Sequence, residues 1–212
     1  MEEYSVYNDI SKRTNGEFYL GVCGPVRTGK STFIKKFMEM FVLPGIKDEN
    51  DRKRAMDELP QSAEGKTIMT TEPKFIPKEA VKINLFDGND IKVRMVDCVG
   101  YIVEDAGGLM EGERERMVMT PWSEEPMPFA KAAEYGTKKV IHDHSTIGIV
   151  ITTDGSFGDI SRQSYKAAED KTISELKSIG KPFIVIVNSA NPFGEKAKDV
   201  INEIKERTGV TP

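Results

Sequence analysis

One stretch constrains this chain more than any other: Gly24-Pro25-Val26-Arg27-Thr28-Gly29-Lys30-Ser31, which spells G-x-x-x-x-G-K-[ST]. It lies between an apolar run that starts at Tyr19 and a segment of helical periodicity that reaches Val42. A strand that feeds a Gly-rich turn, which in turn opens a helix, is the setting in which this motif holds a polyphosphate. Backbone N–H groups of the turn converge on the phosphates, and the positive end of the helix adds to them. Gly24, Pro25, Val26, Arg27, Thr28, Gly29, Lys30, Ser31 and Thr32 are therefore the expected nucleotide-binding residues. Among them Lys30 is expected to reach the β and γ phosphates, and the Ser31 hydroxyl to hold Mg²⁺. Phe33, Ile34, Phe37, Met38, Phe41 and Val42 recur at helical spacing, which predicts one helix face packed beneath a sheet.

The remaining parts of a phosphate site follow in order. Asp97-Cys98-Val99-Gly100 closes an apolar run that begins at Ile91. After a phosphate loop, this D-x-x-G places a carboxylate on Mg²⁺ and the Gly100 N–H on the γ-phosphate, so the loop can report hydrolysis. Thr70 and Thr71 sit in a long polar stretch between Lys47 and Pro77, the position of a first switch loop. One of these two threonines, which the sequence leaves open, is expected to bind Mg²⁺ and sense the γ-phosphate. Tyr101 stands where many nucleotide-hydrolysing relatives carry a water-orienting glutamine, and Arg27 is a candidate for added charge on the transferred phosphoryl group.

Base recognition departs from the guanine pattern. After the apolar run Phe183–Val187, a guanine-specific protein of this class shows Asn-Lys-x-Asp, and this chain has Asn188-Ser189-Ala190-Asn191. An Asn side chain donates as well as accepts, so at Asn191 the acidic clamp on guanine is lost and adenine is admitted.

Element order predicts an α/β fold. Residues 1–16 read as a polar lead-in with a short helix near Tyr7–Lys12, and 17–212 as one nucleotide-binding domain. Alternating runs at Val81–Phe86 and Ile91–Val96, joined by Asp87-Gly88-Asn89-Asp90, predict an antiparallel pair. A short helix is expected at Asp51–Glu58, and an irregular Pro-rich stretch from Tyr101 to Phe129. Helices are expected at about 129–144 and 161–179, with a last one ending near Gly209, and strands at Thr146–Ile151 and Phe183–Val187. Val210-Thr211-Pro212 resembles the approach to a further strand, which marks the chain as an expected fragment of a longer one.

Composition adds exclusions. With 212 residues and a formal net charge of -4, the chain is long enough for one sizeable core and carries no basic excess that would point to nucleic acid. The charged N-terminus is not a signal peptide and no apolar run approaches membrane-spanning length, so a cytosolic location is expected. The two cysteines, Cys23 and Cys98, are expected as buried thiols, and His142 and His144, two apart on a helix end, are not expected to share a metal.

Longer blocks carry a family. GPVRTGKSTFIKKFMEMFVLP, DELPQSAEGKTIMTTEPKFIP, DCVGY, TPWSEEPMPF, HSTIGIVITTDGS and KPFIVIVNS together resemble the N-terminal nucleotide-binding domain of the stage IV sporulation protein A family. The resemblance implies a three-layer P-loop fold of the translation-factor GTPase type, with a mostly parallel mixed sheet and one antiparallel strand. It also implies ATP with Mg²⁺, and hydrolysis that drives self-assembly of the spore coat basement layer on the forespore surface. Carried over by position, Lys30 is the phosphate lysine, Ser31 and Asp97 the Mg²⁺ pair, and Thr70 and Thr71 the sensor threonines. The resemblance further implies a middle and a C-terminal domain, the latter docking on a small membrane-bound peptide among other coat proteins. A GTPase switch with a degenerate base-reading motif and a module that holds ATP without turnover stay open beside this reading.

Overall fold

The computed structural model describes residues 14, 16–60, 72–84 and 90–212. In chain order its first elements are β1 (Glu17–Cys23), α1 (Lys30–Phe37), α2 (Glu49–Asp57), β2 (Lys74–Asn84) and β3 (Asp90–Asp97). Four short strands follow, β4 (Met110–Glu111), β5 (Arg114–Glu115), β6 (Met117–Thr120) and β7 (Ser123–Pro128). The rest is α3 (Phe129–His142), β8 (Ile147–Thr153), α4 (Arg162–Ser178), β9 (Phe183–Asn188) and α5 (Glu195–Thr208). Thr70, Thr71, the expected helix near Tyr7–Lys12 and the turn residues Asp87, Gly88 and Asn89 lie outside the described residues.

Five strands form one sheet in the order β2-β3-β1-β8-β9. β3, β1, β8 and β9 are mutually parallel, and β2 runs antiparallel to β3, as the alternating runs and their turn predict. The central strands are apolar on both sides because both faces are covered. Phe18, Val22, Val93, Met95, Ile149 and Ile151 enter one core with Ile34, Met38 and Val42. Cys23, Val96 and Val150 enter the other, with side chains of α3, α4 and α5. The result is three layers, with α1 on one face of the sheet and α3, α4 and α5 on the other.

The helix after the phosphate loop is regular only to Phe37, then widens into a π-turn over Met38–Val42 and tightens over Leu43–Gly45. Its buried stripe is accordingly narrower than the periodicity predicts. Ile34, Met38 and Val42 are fully buried, whereas Phe33, Phe37 and Phe41 form an aromatic row along the flank with centroids 6.1 and 5.2 Å apart. Asp48 caps α2 by accepting from Asn50 N and Asp51 N at 2.9 Å, so the short charged helix expected at 51–58 starts two residues early.

Two expectations are corrected. β2 begins at Lys74 rather than Val81, with a register shift between Ile76 and Val81 that accommodates Pro77 on an edge strand, where a missing N–H is tolerated. The stretch from Tyr101 to Phe129 is not wholly irregular, since β4 pairs with β5 and β6 with β7. Its prolines sit at the turn (Pro121) and in a two-stranded ribbon (Pro126, Pro128), which spares any central ladder. Trp122 in that turn stacks on Tyr135 of α3 at 6.4 Å.

Candidate nucleotide site

The loop between β1 and α1 is pinned from three sides before any ligand is considered. Tyr101 N donates to Gly24 O at 3.2 Å and Val26 N donates to Tyr101 O at 2.9 Å, a short parallel bridge to the segment after β3. From the end of β9, Asn188 Nδ2 donates to Thr28 O at 3.1 Å. Inside the loop, Thr28 Oγ1 donates to Pro25 O at 3.0 Å and Lys30 Nζ to the same oxygen at 2.5 Å. Val26 is buried, its N–H is taken by Tyr101, and Pro25 has no N–H, so these two residues shape the loop.

The first helical hydrogen bond of α1 is Phe33 N to Gly29 O at 2.8 Å. The N–H groups of Lys30, Ser31 and Thr32 precede it and are those a helix start offers to an anion. Lys30 is buried, and burial lowers its ammonium from the usual lysine range. A buried ammonium bonded only to a carbonyl is poised to take a phosphate oxygen as its counter-charge.

Ser31 Oγ donates to Asp97 Oδ2 at 3.1 Å, and this contact joins the start of α1 to the end of β3. Burial pushes the Asp97 carboxyl above its ordinary range, while the Lys30 charge and the Ser31 hydroxyl pull it back. Its other oxygen, Oδ1, is buried without a hydrogen-bond partner. A buried carboxylate oxygen left over beside a serine hydroxyl fits a hard cation such as Mg²⁺. Among the described residues no group of three or more His, Cys, Asp and Glu side chains forms a metal cluster, so further ligands would be phosphate, water or residues beyond those described.

Gly100 lies against both the loop and its lysine. A Cβ there would sit 2.2 Å from Gly24 O and 2.6 Å from Lys30 Nζ, at a φ of +94°. Gly29 is open for a similar reason, since a Cβ would meet Asn188 Nδ2 at 2.4 Å. Arg27 takes a φ of 59°, and its guanidinium leans toward Gly107 and Tyr165.

The turn after β9 is built from Ser189 and Asp154. Ser189 Oγ donates to Asp154 Oδ2 at 2.6 Å and accepts from Asn191 N at 3.0 Å, and Asp154 Oδ1 accepts from Ser156 N at 2.9 Å. Asn188 therefore braces the loop between β1 and α1, while Asn191 stands exposed in the turn after β9. Replacing Asn188 by alanine is expected to weaken ADP binding by roughly fivefold, the worth of about one hydrogen bond. Titration of a fluorescent ADP checks it, and unchanged affinity would remove the brace.

Residues that sequence reasoning missed are Glu175 and Glu169, both on α4. Tyr101 OH donates to Glu175 Oε2 at 2.5 Å, and His142 Nε2 lies 2.9 Å from Glu175 Oε1. Glu169 repeats the spacing of Tyr165, Thr172 and Leu176 on the buried face, a signal available from sequence. His144 instead meets the Phe75 ring edge at 5.5 Å, apart from His142. Cys23 and Cys98 are buried beneath the loop, with Cys98 Sγ directed at Val22 O at 3.4 Å.

A family model described as stage IV sporulation protein A, ATPase domain, matches residues 1–212. The chain belongs to that family. It is 56% identical over 207 residues to stage IV sporulation protein A of Bacillus subtilis, covering 98% of this chain and 42% of that protein. To the protein of the same name from Clostridioides difficile it is 57% identical over 203 residues, 96% and 41% of the two chains. The chain thus spans less than half the length of these family members. A crystal structure of an SsGBP variant matches 94% of this chain and 47% of its own at 15% identity, with a TM-score of 0.44, too low to type the fold further. No helix among the described residues is long and apolar enough to cross a membrane.

Proposed function

We propose that the chain binds ATP with Mg²⁺ and hydrolyses it, as a P-loop domain of the translation-factor GTPase type. The observation that carries this is the Ser31–Asp97 contact at 3.1 Å, with Asp97 Oδ1 buried and unpartnered beside it. Ser31 and Asp97 would hold the ion, which supplies neutralisation of charge on the β and γ phosphates. Lys30 and the N–H groups that open α1 bind the phosphates, and the Gly100 N–H bonds the γ-phosphate. Water adds to the γ phosphorus, the bond to the β–γ bridging oxygen breaks, and ADP and phosphate leave. Thr70 or Thr71 serves as the sensor threonine. Asn191, in place of an acidic residue, admits adenine.

In this reading the nucleotide cycle drives self-assembly of the spore coat basement layer on the forespore surface, in the mother cell of a sporulating bacterium. Contacts with a small membrane-bound peptide and with other coat proteins belong to parts of the family's length beyond this span. A second reading, a module that holds ATP without turnover, draws on one observation. Tyr101 is turned into the core, so no side chain at that position orients a water.

The test is phosphate release from ATP and from GTP with Mg²⁺, beside a Lys30→Ala variant. Release from ATP is expected, and loss of the lysine is expected to lower it at least about a hundredfold, the scale of removing one preorganised charge contact. Release from GTP alone would overturn the adenine argument, and nucleotide binding without release would favour the second reading.

A further inference from the structure

We infer that Tyr101 is a positioning residue for hydrolysis, holding the Gly100 N–H on the γ-phosphate through its partly buried hydroxyl bond to Glu175. This rests on the ATPase reading above.

The position immediately after Gly100 is where a side chain could reach the reacting phosphate, and here it goes the other way. The Tyr101 side chain is buried, and its hydroxyl donates to Glu175 Oε2 at 2.5 Å on α4. Lys171 Nζ lies 4.8 Å from the ring centroid and is itself paired with Glu134 of α3 at 2.8 Å. Glu175 is fixed in turn by His142 at 2.9 Å, from the end of α3. Burial raises the Glu175 carboxyl, but the bonds from Tyr101 and His142 outweigh it and keep the group below its ordinary range. Glu175 is therefore an ionised acceptor, and the bond from Tyr101 is charge-assisted.

The backbone of the same residue is clamped from the opposite side. Tyr101 N donates to Gly24 O and Tyr101 O accepts from Val26 N, at 3.2 and 2.9 Å. Gly100 is thus the one residue between Asp97-Cys98-Val99 at the strand end and a residue tied to both the phosphate loop and α4. A glycine at φ +94° has no side chain to fix it, so the neighbour must. The clamp sets where the Gly100 N–H points before the nucleotide arrives. Preorganised donors of this kind act on the transition state more than on ground-state binding. The α and β phosphates, held by the loop and α1, do not depend on it.

The experiment compares the chain with Tyr101→Phe, Glu175→Ala, the double variant and Tyr101→Gln. It reads phosphate release at saturating ATP, ADP affinity and the thermal midpoint. Tyr101→Phe and Glu175→Ala are each expected to lower kcat roughly fivefold to thirtyfold, with ADP affinity within about twofold. The double variant is expected to fall no further than the weaker single, since both remove one and the same bond. Tyr101→Gln is expected below Tyr101→Phe, because it loses the ring as well. A rise in turnover with Tyr101→Gln would mean that the position orients water, and would overturn the proposal. So would an unchanged kcat in Tyr101→Phe, or a fall in kcat matched by ADP affinity and melting, which is the signature of a structural role. If the parent chain binds ADP yet releases no phosphate, the ATPase reading fails and takes this one with it. If the parent turns over and Tyr101→Phe equals it, only the positioning role falls.

Discussion

Replacing Glu169 by alanine is expected to lower the unfolding free energy by about 2–3 kcal/mol, the worth of charge-assisted bonds lost at a buried acceptor whose arginine partners keep other carboxylates. The carboxylate is fully buried. It accepts from Arg162 Nη2 at 2.8 Å and Arg207 Nη2 at 2.7 Å, with further contacts from Arg162 Nη1 and Thr152 Oγ1. Those groups come from β8, α4 and α5, so one side chain joins the sheet to two helices on the same face. Its loss leaves the Thr152 hydroxyl without its acceptor and leaves the Arg162 and Arg207 guanidinium groups, both partly exposed, to Glu203 and Asp170 alone. The sequence context explains why it is not an ordinary surface glutamate, for it shares the buried face with Tyr165, Thr172 and Leu176.

Glu169 also carries a pH signature. Burial raises its carboxyl, but the bonds from Arg162, Thr152 and Arg207 prevail and leave it below the ordinary glutamate range. A depressed carboxyl contributes stability that is complete above about pH 5, where the unfolded chain is ionised, and is lost as pH falls through the folded-state value. Urea unfolding of Glu169→Ala and its parent at pH 7 checks the first expectation. A difference under about 1 kcal/mol, the worth of an exposed pair, would show that the cluster is solvated in solution.

Gly100→Ala is expected to abolish most phosphate release, by at least about a hundredfold, while the chain still folds. The added Cβ would lie 2.2 Å from Gly24 O and 2.6 Å from Lys30 Nζ. The lysine end can swing away, but the carbonyl belongs to the phosphate loop, so the loop itself must shift. A φ of +94° adds backbone strain for any residue with a side chain. Both effects fall on the loop and lysine proposed to hold the phosphates and on the N–H proposed for the γ-phosphate. Release assays with a melting curve as control decide it, and turnover within about twofold of the parent would separate Gly100 from the reacting centre.

Some of this was legible from residues adjacent in sequence. The phosphate loop, its lysine and the strand before it are one local pattern, and Asp97 closes a run whose alternation is plain. The antiparallel β2–β3 pair follows from two alternating runs with a turn-forming link. What was not legible depends on residues far apart. Tyr101 and Glu175 are 74 positions apart, and Glu169 and Arg207 are 38 apart. Packing of α3, α4 and α5 on one face brings them together, and no short spacing encodes that. The β6–β7 ribbon was hidden because its prolines argue against a central strand, and it is a peripheral one. The early start of β2 was hidden by a charged, proline-containing sequence that an edge strand tolerates. Asn188 is legible as a base-site residue by its place, but its bond to Thr28 O, a contact 160 positions away, is not.

The buried thiols give the chain a built-in reporter. Cys23 and Cys98 are its only two cysteines, and both are buried, Cys23 as the last residue of β1 and Cys98 just past the end of β3. Burial pushes both thiols up, Cys98 to about 11, so neither presents a thiolate to reagents at neutral pH. Alkylation of this chain therefore measures opening of the core between β1 and the segment after β3, with no engineered label and no surface thiol to mask the signal.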